Sequence, residues 1–205
     1  RQRQMCIRDS HTTDSDGKNS LDEMAKAASE LGLQYLGISD HSKSSVQANG
    51  LSEERLIKQI KNISQYNNTN KNDIKIFSGV ECDILKDGSL DYDESILSQL
   101  DYCVASVHSS FSLSENEMTQ RVIRAIESPF VTMIGHLTGR LLLLRKPYDI
   151  NVSKIIDACA ENNTIIEINA NPRRLDMDWR WWKQAKDKGV KCSINPDAHK
   201  IEHFQ

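Results

Sequence analysis

Apolar and polar positions alternate along this chain in short blocks. Six apolar runs have strand length: Tyr35 to Ser39, Ile74 to Val80, Tyr102 to Val107, Val131 to Ile134, Thr164 to Asn169 and Val190 to Ile194. Between them the period changes to that of a helix. Leu21, Met24, Ala25, Ala28 and Leu31 form one stripe, opened by a capping box at Ser20 and Glu23 and closed by Gly32. Leu56, Ile57, Ile60 and Ile63 form a second, with Ser52 as its cap. Ser114 and Glu117 repeat the capping box for a helix running to Ser128, and further helices are predicted over Val152 to Glu161 and Asp178 to Lys188. Asn67 to Asn72 is poor in apolar residues and reads as a solvated loop. Strand followed by helix, repeated in short units, implies parallel strands joined by helical crossovers.

The residues that end these runs decide how the sheet is arranged. Asp40-His41, Glu81, His108 and His136 each follow an apolar run, and Asp197 and His199 follow the last one past Pro196. His11 sits near the start, in a polar loop with Asp14 and Asp16. An open doubly wound sheet gathers ligands at one or two switch points. A barrel brings the C-terminal ends of all its strands around one mouth. Ligand-type residues after nearly every strand therefore predict an α/β, TIM-like barrel. Arg1 to Ser10 is polar, without a period of 2 or 3.6, and reads as a non-native leader. The first barrel strand, which should precede His11, is thus expected to be missing or replaced.

Composition narrows the chemistry. The 205 residues suit one domain, and a net charge of −3 offers no global field for a polyanion, so any such binding must be local. Five cysteines without a CxxC pair argue against a disulfide framework or a zinc knuckle, and Cys103, Cys159 and Cys192 are expected as small buried hydrophobes. There is no apolar run of about 18 residues and no secretory signal, which points to the cytoplasm. Imidazoles and carboxylates without thiolate suit zinc, manganese or iron, and eight of them are too many for one tetrahedral ion. Three divalent ions against three ligand carboxylates would leave the mouth positive by about three charges, a field suited to a phosphate ester. With no GxSxG elbow and no Walker loop, a metal-bound hydroxide is the expected nucleophile.

His11-Thr12-Thr13, Ser15-Asp16-Gly17, Asp40-His41-Ser42, Gly79-Val80-Glu81, Ser106-Val107-His108-Ser109, Gly135-His136, Glu167-Ile168-Asn169-Ala170-Asn171-Pro172 and Asn195-Pro196-Asp197-Ala198-His199 together resemble the PHP (polymerase and histidinol phosphatase) domain. His136 to Leu141 and Asn171 to Asp176 look, more narrowly, like the C-terminal PHP domain of bacterial family X DNA polymerases. The resemblance implies a distorted (βα)7 barrel with three metal ions, Mn2+ or Zn2+ and possibly Fe2+, and a metal-dependent phosphoesterase. The activity it implies is 3′-to-5′ exonuclease or 3′-end processing in DNA repair, with a polymerase domain in cis. Two alternatives stand beside it: a stand-alone small-molecule phosphatase resembling histidinol phosphatase, acting on a phosphomonoester, and a non-catalytic metal-binding module.

By the same resemblance His11, Glu81 and Asp197 hold one metal at the catalytic centre. Glu81, as a bridge, with His108 and His136 holds a second, and Asp16, His41 and His199 hold the third. The family opens with His-x-His, whereas Asp9 occupies the first of those positions, so the first metal is expected to be weakened. Residues 11–205 are expected to be a single PHP domain truncated at the C-terminus. Arg140, Arg173 and Arg174, beyond strand ends, and Lys43, close behind His41, are candidates to grip substrate phosphate. Trp179, Trp181 and Trp182 could stack on bases, although Trp182 would share a helix face with Ala185 and pack inward. His203 is expected to be an exposed tail residue.

Overall fold

The computed structural model describes residues 6–69 and 73–204. Seven strands alternate with helices: β1 (Cys6–Ser10), α1 (Leu21–Glu30), β2 (Tyr35–Ile38), α2 (Glu53–Thr69), β3 (Lys75–Asp83), α3 (Glu94–Leu97), β4 (Tyr102–Ser106), α4 (Glu115–Ile126), β5 (Met133–Ile134), α5 (Val152–Asn162), β6 (Ile165–Asn169), α6 (Trp182–Asp187) and β7 (Cys192–Asn195). The α/β class predicted from the alternation is the one observed. The chain divides into two compact units. Among the described residues, one comprises those up to Glu81, Tyr92–Tyr102 and those from Asn195 on; the other comprises Cys82–Asp91 and Cys103–Ile194.

In the first unit β1, β2 and β3 are parallel, with Cys6 opposite Tyr35 and Tyr35 opposite Lys75. Ser10, at the end of β1, also pairs in parallel with Ala198, so β1 has a neighbour on each side. This revises the reading of the leader. The first strand, expected to be missing or replaced, is present at Cys6–Ser10, and its polar composition hid it because ladder bonds join backbone to backbone whatever the side chains. The core packs Met24, Ala25 and Ala28 of α1 against Leu36, Ile38, Ile63, Tyr66, Ile76 and Ala198. Ser20 and Glu23 form the predicted capping box. The buried stripe of α2 is Leu56, Gln59, Ile63 and Tyr66, with a glutamine where an apolar side chain was expected. The helix also runs on to Thr69 in place of the expected loop, and Asn67 bonds both the N–H and the C=O of Ile76 at 2.9 Å. Residues 70–72 of that loop lie outside the described residues. Glu81 is inside β3, not past its end.

In the second unit β4, β5 and β6 are parallel, Val104 opposite Met133 and Ile134 opposite Ile166. Met118, Val122, Ala125 and Ile126 of α4 pack with Ile155, Ile156 and Cys159 of α5. At about 1.5–3 kcal/mol for each large aliphatic side chain taken out of water, such a cluster is a major source of stability. β5 is two residues long, and just beyond it Gly135 still donates to Ala105 O at 3.1 Å and leaves no room for a side chain, since a Cβ there would lie 2.4 Å from Ser106 Oγ. The predicted helix from Asp178 begins instead as a 3-10 turn, Trp179–Trp181, capped by the Asp178 side chain. Trp181 and Trp182 pack partly on the core, whereas Trp179 is 78% exposed. Cys103 and Cys159 are buried as expected, but Cys192 is exposed, because β7 turns that face outward. Among the described residues no helix is long and apolar enough to cross a membrane.

Candidate metal centre

Four chain segments of the first unit converge where their strands end. β1 leads into His11, β2 into Asp40 and His41, β3 carries Glu81, and the exit of β7 carries Asp197 and His199. Backbone bonds lock the first to the last: His11 N–H donates to Ala198 O at 2.8 Å and Ala198 N–H to Asp9 O at 3.0 Å. The His11 ring is wholly buried. Its Nε2 lies 3.4 Å from Asp197 Oδ1, 3.7 Å from Glu81 Oε2 and 3.8 Å from Asp9 Oδ1, and its Nδ1 lies 4.0 Å from Asp16 Oδ1. Neither nitrogen makes a well-formed hydrogen bond. The ring stacks on His41 at 4.5 Å and on His199 at 4.2 Å between centroids. His41 places Nδ1 3.1 Å from Glu81 Oε2 and Nε2 3.8 Å from Asp16, and His199 Nε2 is 3.4 Å from Asp16.

Ligand atoms of Asp9, His11 and Asp197 all lie within 4.8 Å of one another, as do those of His11, Asp16, His41 and His199. A buried imidazole without a hydrogen bond, faced at more than bonding distance by several carboxylates, is unfavourable unless a cation stands between them. The donor set therefore fits divalent metal ions. Asp9, expected on a segment with nothing to hold it, is wholly buried and accepts a hydrogen bond from Ser39 Oγ at 2.9 Å. Its backbone takes φ 59, a conformation that Asp tolerates better than most residues.

The local field is that of paired charges. Burial acts to raise the Asp16 carboxyl, but the hydrogen bond and charge of His199, with His41 and His11, hold it below its ordinary value. Asp197 is likewise lowered: burial opposes, and His11 and His199 outweigh both burial and the neighbouring Glu81. Burial works to lower His199, yet Asp16 and Asp197 raise it to about 9.

The loop between His11 and Asp16 is shaped from behind. Asp40 is fully buried and accepts from Thr12 N–H (2.8 Å), Thr12 Oγ1 (2.7 Å), Gln59 Nε2 (2.6 Å) and Ser15 Oγ. That use of its oxygens explains the polar Gln59 in the buried stripe of α2, the one sequence signal that could have flagged it. His203, expected as an idle tail residue, is half-buried and its Nδ1 accepts from His199 N–H at 3.3 Å.

The second unit holds the other two expected ligands. His108 and His136 face each other edge to face with ring centroids 5.2 Å apart. Asp83 Oδ1 bonds His108 Nδ1, and Glu167 accepts from His136 N–H at 2.7 Å. Thr138 donates its N–H and its hydroxyl to Asp176, each at 2.9 Å, which pins the loop that leaves His136. Sequence reasoning missed Asp83, whose signal was a second carboxylate two residues after Glu81. The phosphate candidates fare unequally. Arg140 is engaged in a clamp, donating to Arg174 O (3.0 Å), Leu175 O and Asp178 Oδ2 (3.0 Å). Lys43 pairs with Glu53 at 2.8 Å and lies over the Tyr92 ring. Arg173 is exposed and Arg174 half-buried.

A family model described as the PHP domain matches residues 9–171. The DNA polymerase/3'-5' exonuclease PolX of Bacillus subtilis is 44% identical over 192 residues, which is 94% of this chain and 34% of that protein, so the chain spans about a third of that relative. A protein named "Probable phosphatase" from Thermoanaerobacter sp. is 31% identical over 94% of this chain and 79% of its own length. Among solved structures, hisK of Listeria monocytogenes superposes with a TM-score of 0.76 at 16% identity, covering 98% of this chain and 97% of that one. Histidinol phosphate phosphatase of Lactococcus lactis, solved with zinc, L-histidinol and phosphate, gives 0.66 at 16%, covering 97% and 87%. These two share the fold.

Proposed function

Because the chain belongs to the PHP domain family and is a metal-dependent phosphoesterase, we propose that it shortens DNA from the 3′ end, as the exonuclease module of a family X type polymerase. The observation that carries the choice of substrate is the 44% identity to the Bacillus subtilis polymerase, against 31% to a "Probable phosphatase", over the same share of this chain. A polymerase domain in the same polypeptide is part of this reading, since that relative is about three times as long as the matched region.

In this reading three divalent ions, manganese foremost, are held by the eight expected ligands. In the first unit His11, Glu81 and Asp197, with Asp9 as a carboxylate donor in place of an imidazole, hold one ion, and Asp16, His41 and His199 hold another. In the second unit His108 and His136 supply donors for a third. Ions bound there would acidify a water molecule and neutralise charge on the phosphoryl oxygens. The protein's own part is positional. Asp16 and Asp197 are kept ionised by their histidines, so both are ready as ligands. Asp83 orients the His108 ring, as outer carboxylates do around metal-binding histidines, and Glu167 fixes the backbone at His136. Asp40 holds the loop that carries His11 and Asp16.

A second reading, hydrolysis of a small phosphomonoester, is favoured by the relatives named phosphatase and by the fold shared with the Lactococcus lactis enzyme. The two separate when purified protein with manganese is given a 5′-labelled single-stranded oligonucleotide and histidinol phosphate side by side. The expected result is a ladder of 3′-shortened products with little turnover of histidinol phosphate. The reverse pattern would establish the second reading, and inertness toward both by a metal-loaded chain would make it a non-catalytic module.

A further inference from the structure

The loop that follows His136 builds a surface that neither the metal ligands nor the core account for. Leu141 and Arg145 pair across a tight turn, Arg145 N–H to Leu141 O at 2.8 Å and the reverse bond at 2.9 Å. The tip is apolar and bare: Leu142, Leu143 and Leu144 are 37%, 106% and 71% exposed. Leu142 N–H donates to Arg173 O at 2.6 Å, which seats the turn against the stretch after β6, where Leu175 is 50% and Trp179 78% exposed. An open groove of about 580 Å³ runs along the turn, with Arg145, Lys146 and Arg180 in its lining. Asp178, the acid that lines it, is already bonded by Arg140 and Arg180 at 3.0 and 2.9 Å. Arg174 stands near enough to Arg145 that, after burial, it is the next cause depressing that guanidinium. In a chain of net charge −3, Arg145, Lys146, Arg173, Arg174 and Arg180 concentrate positive charge on one short stretch of surface.

We propose that this groove and the exposed surface beside it bind the single-stranded end of a polynucleotide, the leucines of the turn and the neighbouring Trp179 taking base faces while Lys146 in the groove and the adjoining Arg173 take successive phosphates. The proposal rests on the reading of the substrate as a polynucleotide 3′ end. Apolar side chains interleaved with cations suit a ligand that itself alternates flat apolar bases with phosphates. An apolar protein partner would call for a continuous apolar patch without the cations. The groove also begins just past His136, on the loop that Asp176 pins, so a strand seated in it is held by the segment that carries an expected metal ligand.

The test is fluorescence anisotropy of a labelled phosphorothioate single strand of about ten nucleotides, which resists hydrolysis so that the manganese-loaded protein can be used, across a series of salt concentrations. Trp179→Ala and Leu143→Ser, both at exposed positions, should each weaken binding, Trp179→Ala by about tenfold. The double variant Lys146→Ala, Arg173→Ala should reduce the slope of log affinity against log salt by about 1.4, roughly 0.7 for each phosphate no longer neutralised. Thermal melting should match the parent for all three. Unchanged affinity and slope in variants of a parent that does bind this strand and shorten an unmodified one would overturn the groove alone. A parent that neither binds this strand nor shortens an unmodified one would overturn the groove together with the functional reading, and attachment to anionic vesicles in place of the oligonucleotide would overturn it in favour of a lipid surface.

Discussion

Glu81 stands 3.1 Å from His41 Nδ1 and 3.7 Å from His11 Nε2 through the same oxygen, so a single carboxylate faces both ligand clusters of the first unit. His199 belongs to one of them. With manganese saturating, Glu81→Gln is therefore expected to lower kcat by on the order of a hundred- to a thousandfold, and His199→Ala by less. Equal losses, measured on the same substrate, would remove Glu81 from its special place. The ligands were legible in the sequence because each ends or follows an apolar run, and a strand delivers its last residues to one end of a sheet. Asp83, Glu167 and Gln59 were not, because each acts on a residue 19 to 31 positions away that no local period connects to it. The loop position of Arg140 suggests a free cation, while its actual partners are backbone oxygens brought in by another loop.

The β1–α1 loop shows what a connecting element contributes. It has no regular structure of its own, and its form is imposed by Asp40 at the end of β2 and Gln59 on α2. Asp40→Asn keeps the volume but turns one acceptor oxygen into a donor that faces other donors. It should cost about 1–3 kcal/mol of stability and weaken manganese binding by about 10–100-fold, read by thermal melting and by calorimetric titration. Undiminished metal affinity in a folded Asp40→Asn protein would show that the loop keeps its shape without that carboxylate. Helices were the more readable elements: the boxes at Ser20 and Ser114 appear where the sequence puts them. Strand β1 was unreadable for the opposite reason, since its sequence carries no period while its backbone pairs with neighbours on both sides.

Across the whole molecule the expected ligands divide unequally. His11, Asp16, His41, Glu81, Asp197 and His199 lie in the first unit, and His108 and His136 in the second. The first unit also holds Asp9, so four carboxylates stand around one buried imidazole and repel one another without a cation. Stripping metal with EDTA should thus lower the melting temperature, and manganese at about one hundred times its Kd should restore about 2.7 kcal/mol of stability, followed by scanning fluorimetry. A melting temperature indifferent to metal would mean that the ions contribute nothing to the fold. The α/β class and the convergence of ligands at strand ends could be read in advance, whereas the division into two units could not, because it depends on which distant stretches touch. The first unit in particular joins His11 to Ala198, and Ile201 to Asn19 across 182 positions. Protein synthesis sets an order on that join. At about 5–20 residues per second, His11 is made roughly ten to forty seconds before its partners Asp197 and Ala198. A chain that has not yet reached residue 197 is therefore unable to assemble this ligand cluster or to cover the second edge of β1, so capture of metal there has to follow the synthesis of Asp197, Ala198 and His199.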